Sequence, residues 1–189
     1  MRRLSIVLGL LLLPVSVSAQ PPRLVEVAGG GYSFVRDFLV EENFPLGWFA
    51  SGSCRVFDWL DAVGEISGTY KKHDFTVDGE GFSTSTRLHS YLGGVRHARP
   101  MGRVIPFGQV LVGVTRETGG VTVFRQSIAE AQTKFTLQPG GGVDIPLTDR
   151  VSARFGADYR RIFAERVNTD EESDNQLRFA AGVVVGVGR

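Results

Sequence analysis

The stretch Val151–Phe163, V-S-A-R-F-G-A-D-Y-R-R-I-F, constrains this chain more than any other. Side chains of an extended strand alternate between two faces. Val151, Ala153, Phe155, Ala157 and Tyr159 therefore share one face, and Ser152, Arg154, Gly156, Asp158 and Arg160 the other. One face needs an apolar phase, and the other needs water or a network of polar partners. Two closed architectures meet both needs. A barrel spanning a bilayer turns the apolar face to lipid and the charged face inward. A soluble exported barrel of lipocalin type does the reverse and holds a small apolar ligand inside. Alternation alone does not say which face is inside.

The same sorting recurs along the chain, and no stretch past Ala19 is long and apolar enough for a spanning helix. Leu24–Val35 reads as strand one, with a bulge at Gly29-Gly30-Gly31 resetting its alternation. Phe44–Val56 follows, and then Trp59–Lys71, where Leu60, Ala62, Gly64, Ile66, Gly68 and Tyr70 alternate with Asp61, Glu65, Ser67 and Thr69. Thr84–Arg99 and Arg103–Arg116, strands four and five, leave the inward face open, and Pro106 predicts an irregularity because it has no N–H for a ladder. Thr133–Leu147, Val151–Phe163 and Gln176–Val187 sort cleanly again. The pattern predicts an all-β fold, an antiparallel up-and-down transmembrane β-barrel of about eight strands.

Connections alternate in length. Arg36–Asn43, Lys72–Ser83, Glu117–Gln132 and the acidic Ala164–Asp174 are long and polar, and Lys72–Ser83 reads as a mobile surface loop. Glu117–Gln132 reads as the longest, with a weak helical period over Gln126–Gln132. The turns at Phe57-Asp58, Pro100-Met101-Gly102 and Thr148-Asp149-Arg150 are short. An antiparallel barrel gathers the two sets at opposite ends, as short periplasmic turns and long outer loops. Aromatic residues fall near both ends: Phe57, Trp59 and Phe107 toward the short turns, and Phe34, Trp48, Tyr70, Phe135, Tyr159, Phe163 and Phe179 toward the long connections. Two such belts are what rings at two membrane interfaces produce.

Met1–Ala19 has the order of a secretory signal peptide: Arg2 and Arg3, an apolar run from Ile6 to Leu13, then Val17-Ser18-Ala19. Residues 1–19 are expected to be cleaved, leaving 20–189 as one barrel domain. With 21 Lys and Arg against 20 Asp and Glu overall, and two arginines in the leader, the exported part is near neutral, which argues against nucleic-acid binding. The single Cys54 excludes an intramolecular disulfide, so a hydrogen-bonded framework must carry the fold.

The chain resembles the small OmpA/OmpX-like outer-membrane β-barrels. The resemblance rests on Gly29-Gly30-Gly31-Tyr32-Ser33-Phe34, Gly64-Glu65-Ile66-Ser67-Gly68, Tyr91-Leu92-Gly93-Gly94-Val95-Arg96, Pro106-Phe107-Gly108-Gln109 and Gly140-Gly141-Gly142-Val143-Asp144. It departs at the end, where the family usually carries an aromatic residue and this sequence has Gly188-Arg189. The resemblance implies an outer-membrane protein of a Gram-negative-type bacterium. Its implied partners are membrane lipid and lipopolysaccharide, the barrel-assembly machinery, and an extracellular ligand at the long connections.

The polar faces bring together Glu65, Lys134, Gln138, Asp144, Arg154, Asp158, Arg160 and Arg178 as an expected lumen network that plugs a narrow barrel. Buried charges left unpaired cost several kcal/mol, so Glu65 requires an arginine. No catalytic, cofactor or metal site is expected. His89 and Ser90 are strand neighbours that point to opposite faces. Asp170, Glu171, Glu172 and Asp174 lack the spacing of a calcium loop. Gly140–Gly142 has no helix after it to build a phosphate site. The function expected is non-enzymatic, in envelope integrity or surface adhesion.

Overall fold

The computed structural model describes residues 25–37, 43–44, 46–77, 80–123, 126–163 and 174–187. The expected signal peptide, residues 1–19, and the acidic connection 164–173 lie outside them. The described chain forms strands β1 (Val25–Asp37), β2 (Asn43–Phe44), β3 (Leu46–Phe57), β4 (Leu60–Val77), β5 (Glu80–Ala98), β6 (Ile105–Val123), β7 (Gln126–Pro146), β8 (Val151–Ile162) and β9 (Asp174–Val187). β1 pairs antiparallel with both β2 and β3, each strand from β3 on pairs antiparallel with the next, and β1 also pairs with β9, closing an eight-stranded barrel. The short β2 and β3 lie along β1 in one register on either side of Pro45, so they count as one wall strand. Closure leaves the barrel wall with no open edge, as a chain with alternating faces and no disulfide requires.

The glycines of β1 do what the pattern asks of them. The β1–β9 register shifts by one residue between Gly29 and Tyr32. Ala28 and Val35 are consequently both buried inside, although they are seven positions apart, an odd interval. Three short turns lie at one end. In the β5–β6 turn, Met101 and Val104 exchange backbone hydrogen bonds across Gly102-Arg103. Gly102 has φ 63°, the left-handed value that matches a hairpin turn to strand twist. In the β7–β8 turn, the Thr148 hydroxyl accepts from the backbone N–H groups of Arg150 (3.3 Å) and Val151 (3.1 Å).

Three sequence expectations change. Pro106 causes no irregularity: it pairs with Val143 in an unshifted register, and its carbonyl accepts from Arg99 N–H at the start of the strand. The ladder gap falls at Pro139 instead, where β7–β8 pairing skips from Leu137↔Arg161 to Gly140↔Asp158 without losing register. Lys72–Ser83 and Glu117–Gln132 are mostly not loops. Pairing of β4 with β5 runs to Val77↔Glu80, and that of β6 with β7 to Val123↔Gln126, so the weak helical period over Gln126–Gln132 belongs to a strand. Since β5 and β6 also remain paired to Ser83↔Thr122, β4–β7 continue past the barrel wall as one four-stranded sheet. In contrast, β8 joins β7 only from Thr136↔Ile162.

Candidate functional site

The distribution of burial decides which face is inside. Interior positions hold Asp61, Glu65, Ser67, Arg96, Gln109, Thr115, Gln138, Asp144, Arg154, Asp158, Arg160 and Arg178, all buried. The outer wall holds exposed Val27, Ile66, Tyr91, Val112, Phe155, Phe179 and Val185. A lipocalin-like ligand site needs the opposite arrangement, so that alternative falls. Strands β5 and β6, unoriented by sequence, place Leu88, Leu92, Arg96, Phe107, Gln109 and Leu111 inside, and Arg87, Tyr91, Val95, Val110, Val112 and Val114 outside. Along the outer face of β4, Leu60 to Tyr70 is ten steps of about 3.3 Å. At a tilt of about 40° that spans about 25 Å, the height of the apolar band in such barrels.

Register assembles the interior. Asp158 lies opposite Arg178, Asp144 opposite Arg154, and Asp61 opposite Arg96, each pair on adjacent strands. Arg154 Nε and Nη2 donate to the two Asp144 carboxylate oxygens, both at 2.7 Å, a bidentate fork. Arg154 also comes within 3.8 Å of Glu26. Asp61 takes its hydrogen bond from Arg55 at 2.6 Å. Arg178 donates to Asp158 through Nε (3.1 Å) and Nη2 (2.6 Å) and holds Glu65 through Nη1 at 2.7 Å. That last contact is an ion pair by proximity and is too poorly aligned to count as a hydrogen bond. Gln138 donates to Glu65 at 3.4 Å and accepts from Arg160 at 2.8 Å, and Arg160 reaches Ser67 at 3.3 Å. Lys134 lies half-buried on the same inward face.

Several interior residues were not picked out from sequence. Arg96 donates twice to the Gln109 side-chain carbonyl, at 3.1 and 2.8 Å, and Gln109 Nε2 donates to Asp158 at 3.1 Å. This last bond crosses β7 over Gly140, where an added Cβ would collide with the Asp158 carboxylate. The glycine is needed there for close approach. Nearer the long-connection end, Ser90, Thr115 and Thr136 share hydroxyl bonds of 2.9 and 2.8 Å. Cross-strand position was the available signal for all of them, and it needs a register that composition does not supply.

Phe107 corrects the expected belt. It is buried inside, near the guanidinium groups of Arg96 and Arg154, whose carbons lie 4.9 and 4.8 Å from its ring centre. Position near a strand end suggested the wall, but two cations within about 5 Å of the ring centre make an interior aromatic favourable. Phe49 is likewise buried inside, with the Arg178 guanidinium carbon 5.8 Å from its ring centre, while the other expected belt aromatics whose side chains are described lie on the wall or in the turns. Trp48 Nε1 donates to the Tyr70 hydroxyl (3.0 Å), which lies 3.2 Å from His89 Nε2. Phe135 and Phe163 pack with ring centres 5.6 Å apart. Tyr159 donates to Asn175 at 2.7 Å, and Phe179 is exposed. Phe57 and Trp59 stack at the short-turn end, where His97 Nδ1 donates to the Trp59 carbonyl. The Phe34 side chain is outside the described set.

A cavity of about 20 Å³ remains among Phe49, Glu65, Arg96, Gln109, Asp158 and Arg178, room for about one water. Among the described residues, no group of His, Cys, Asp and Glu could hold a metal ion.

The geometry is that of a small outer-membrane-type β-barrel, and comparison with solved structures agrees. Ail, the attachment invasion locus protein of Yersinia pestis, solved with the heparin analogue sucrose octasulfate, superposes with TM-score 0.57 at 14% identity, covering 86% of this chain and 99% of that one. Neisserial surface protein A gives TM-score 0.57 at 16% identity, covering 87% and 97%. OprG, an outer membrane protein of Pseudomonas aeruginosa, gives 0.57 at 11% identity, covering 92% and 100%. No family model matches the chain, and no curated protein matches it.

Proposed function

We propose that this chain is a non-enzymatic integral outer-membrane barrel that displays the projecting β4–β7 sheet at the cell surface for interaction with an extracellular partner. The observation that carries this is the sheet itself. Four strands stay paired well past the wall, an extent that closing the barrel does not require. Among the described residues, the β7 edge from Gln126 to Lys134 pairs with β6 alone, and its other side can take a partner strand. That similarly folded Ail was solved with a heparin analogue supports a ligand-binding role for a barrel of this fold. The interior network is read as a structural plug. Ion pairs filling a barrel of this girth stiffen it and leave no passage for solutes. The aromatics at the two ends serve as interfacial belts.

The test is an epitope inserted between residues 78 and 79, combined with gel mobility of boiled and unboiled membranes. Labelling on intact cells, with a heat-dependent shift of the band, is the expected result. Recovery in the soluble periplasmic fraction with no shift refutes the proposal.

A further inference from the structure

We infer that Phe49 is a latch that holds the barrel shut along the β1–β9 seam, the ladder that joins the first described strand to the last. Its socket is made by Gly30 on β1 and Gly182 on β9, and Arg178 of β9 lies over the ring.

The seam has a weak point. Gly29 pairs with Val183 and Tyr32 with Ala181, so two residues of β1 stand against Gly182 alone. A bulge of this kind interrupts the ladder where it falls. In a wall that faces lipid, backbone groups released from a ladder find no water to replace their partners. Parting of the two strands also exposes two open edges. Phe49 covers this point from the inside. It is buried and lies directly opposite Gly30. A Cβ at Gly182 would come within 2.8 Å of the ring, and one at Gly30 would run into both the ring and the Ala181 carbonyl oxygen. A ring rooted on β3 therefore rests on glycines of both seam strands. Arg178, rooted on β9, places its guanidinium carbon 5.8 Å from the ring centre while it holds Asp158 on β8 and Glu65 on β4. A cation at that distance attracts the ring. Ring and guanidinium reach across the seam in opposite directions, so parting β1 from β9 breaks both contacts.

A second pair of glycines shows what is particular to the seam. Phe107 on β6 lies opposite Gly142 on β7, which lies opposite Gly156 on β8. Cβ atoms at those glycines would lie 2.8 and 3.8 Å from Phe107 Cζ. The arrangement is the same, but β6, β7 and β8 follow one another in sequence, and this ring fastens hairpins that form locally. The Phe49 socket stays incomplete until the last strand brings Gly182 and Arg178. Contacts made that late govern the rate of opening more than the rate of formation. Gly30 thus does more than reset the alternation of β1, because a larger residue there would evict the ring.

The test is amide hydrogen exchange, followed by NMR on the refolded chain in lipid micelles. Amides bonded between β1 and β9 are compared with those bonded between β5 and β6. Phe49→Ala should speed exchange at the seam about tenfold beyond any change at β5–β6, as local opening requires. Phe49→Leu keeps an apolar side chain without a flat ring. It should show the same selectivity to a smaller extent, and it carries the test if Phe49→Ala does not refold. Phe107→Ala should leave the seam no faster than the rest of the barrel. Val27 and Val185 lie opposite each other across the seam on the exposed outer face. A V27C/V185C disulfide, in a C54A background, should cancel the difference between Phe49→Leu and wild type. Equal acceleration of both ladders in the Phe49 variants overturns the latch and leaves Phe49 as ordinary interior packing. The same seam-selective rise in Phe107→Ala, or a difference that survives the disulfide, overturns it as well.

Discussion

Arg178 is the residue on which the interior turns, because one guanidinium holds both Glu65 and Asp158 in a space that excludes nearly all water. Removing one member of a buried pair leaves a charge uncompensated and costs about 3–5 kcal/mol. Arg178→Met should therefore lower barrel stability by that order in urea unfolding of the refolded protein in lipid micelles. Glu65→Gln, which keeps a polar side chain of the same shape beside Gln138 and Arg178, should cost clearly less than Glu65→Ala. Equal stability of all three with wild type would remove the ion pair as a source of stability. These charges were legible in sequence wherever the other face of the strand is uniformly apolar, as for Glu65 on β4 and Arg154, Asp158 and Arg160 on β8. Arg96 and Gln109 were not, because Leu88, Leu92 and Leu111 occupy the same inner faces and blur the contrast with the wall.

At the scale of the element, strand ends were the least legible feature. Polar composition over Lys72–Ser83 and Glu117–Gln132 suggested loops, since an apolar stripe is the usual mark of a strand. Backbone pairing needs no such stripe once both strands stand clear of lipid, and these segments continue ladders nucleated in the wall. The turns were legible because their residues carry local geometry of their own, as with Gly102 at φ 63° and the Thr148 hydroxyl. The projecting hairpin adds nothing to the barrel's closure or to its interior pairs. Deleting residues 74–83 and joining the ends with a short turn should leave the unfolding free energy within about 1 kcal/mol of wild type, as expected for surface segments outside the packed interior. The heat-dependent gel shift should persist. A deletion that abolishes refolding would show instead that the projecting sheet nucleates the barrel.

For the whole molecule, the decisive property is that the polar surface is inside and the apolar surface outside. The count of strands and the positions of the three short turns were readable from spacing, whereas two of the expected long connections are paired strand. The inward face was not, because period two defines two sides without naming them. Val112 gives a direct measure of what surrounds the wall. It is 44% exposed and touches no charged network. In lipid, Val112→Arg should cost about 2–4 kcal/mol of folding free energy. A wall facing water would tolerate it almost without change. Closure has a further consequence, which concerns time. The seam pairs Val25 with Val187 and Gly29 with Val183, so the first described strand finds its second partner only when the last one arrives. Every other pairing joins strands that follow one another in sequence and can form as hairpins. Loop closure over such a separation is slow, and until it happens two unpaired edges stand open to wrong partners. Assembly of this barrel is thus set by its final step, and a chain slow to close is one that benefits from being guarded until it does.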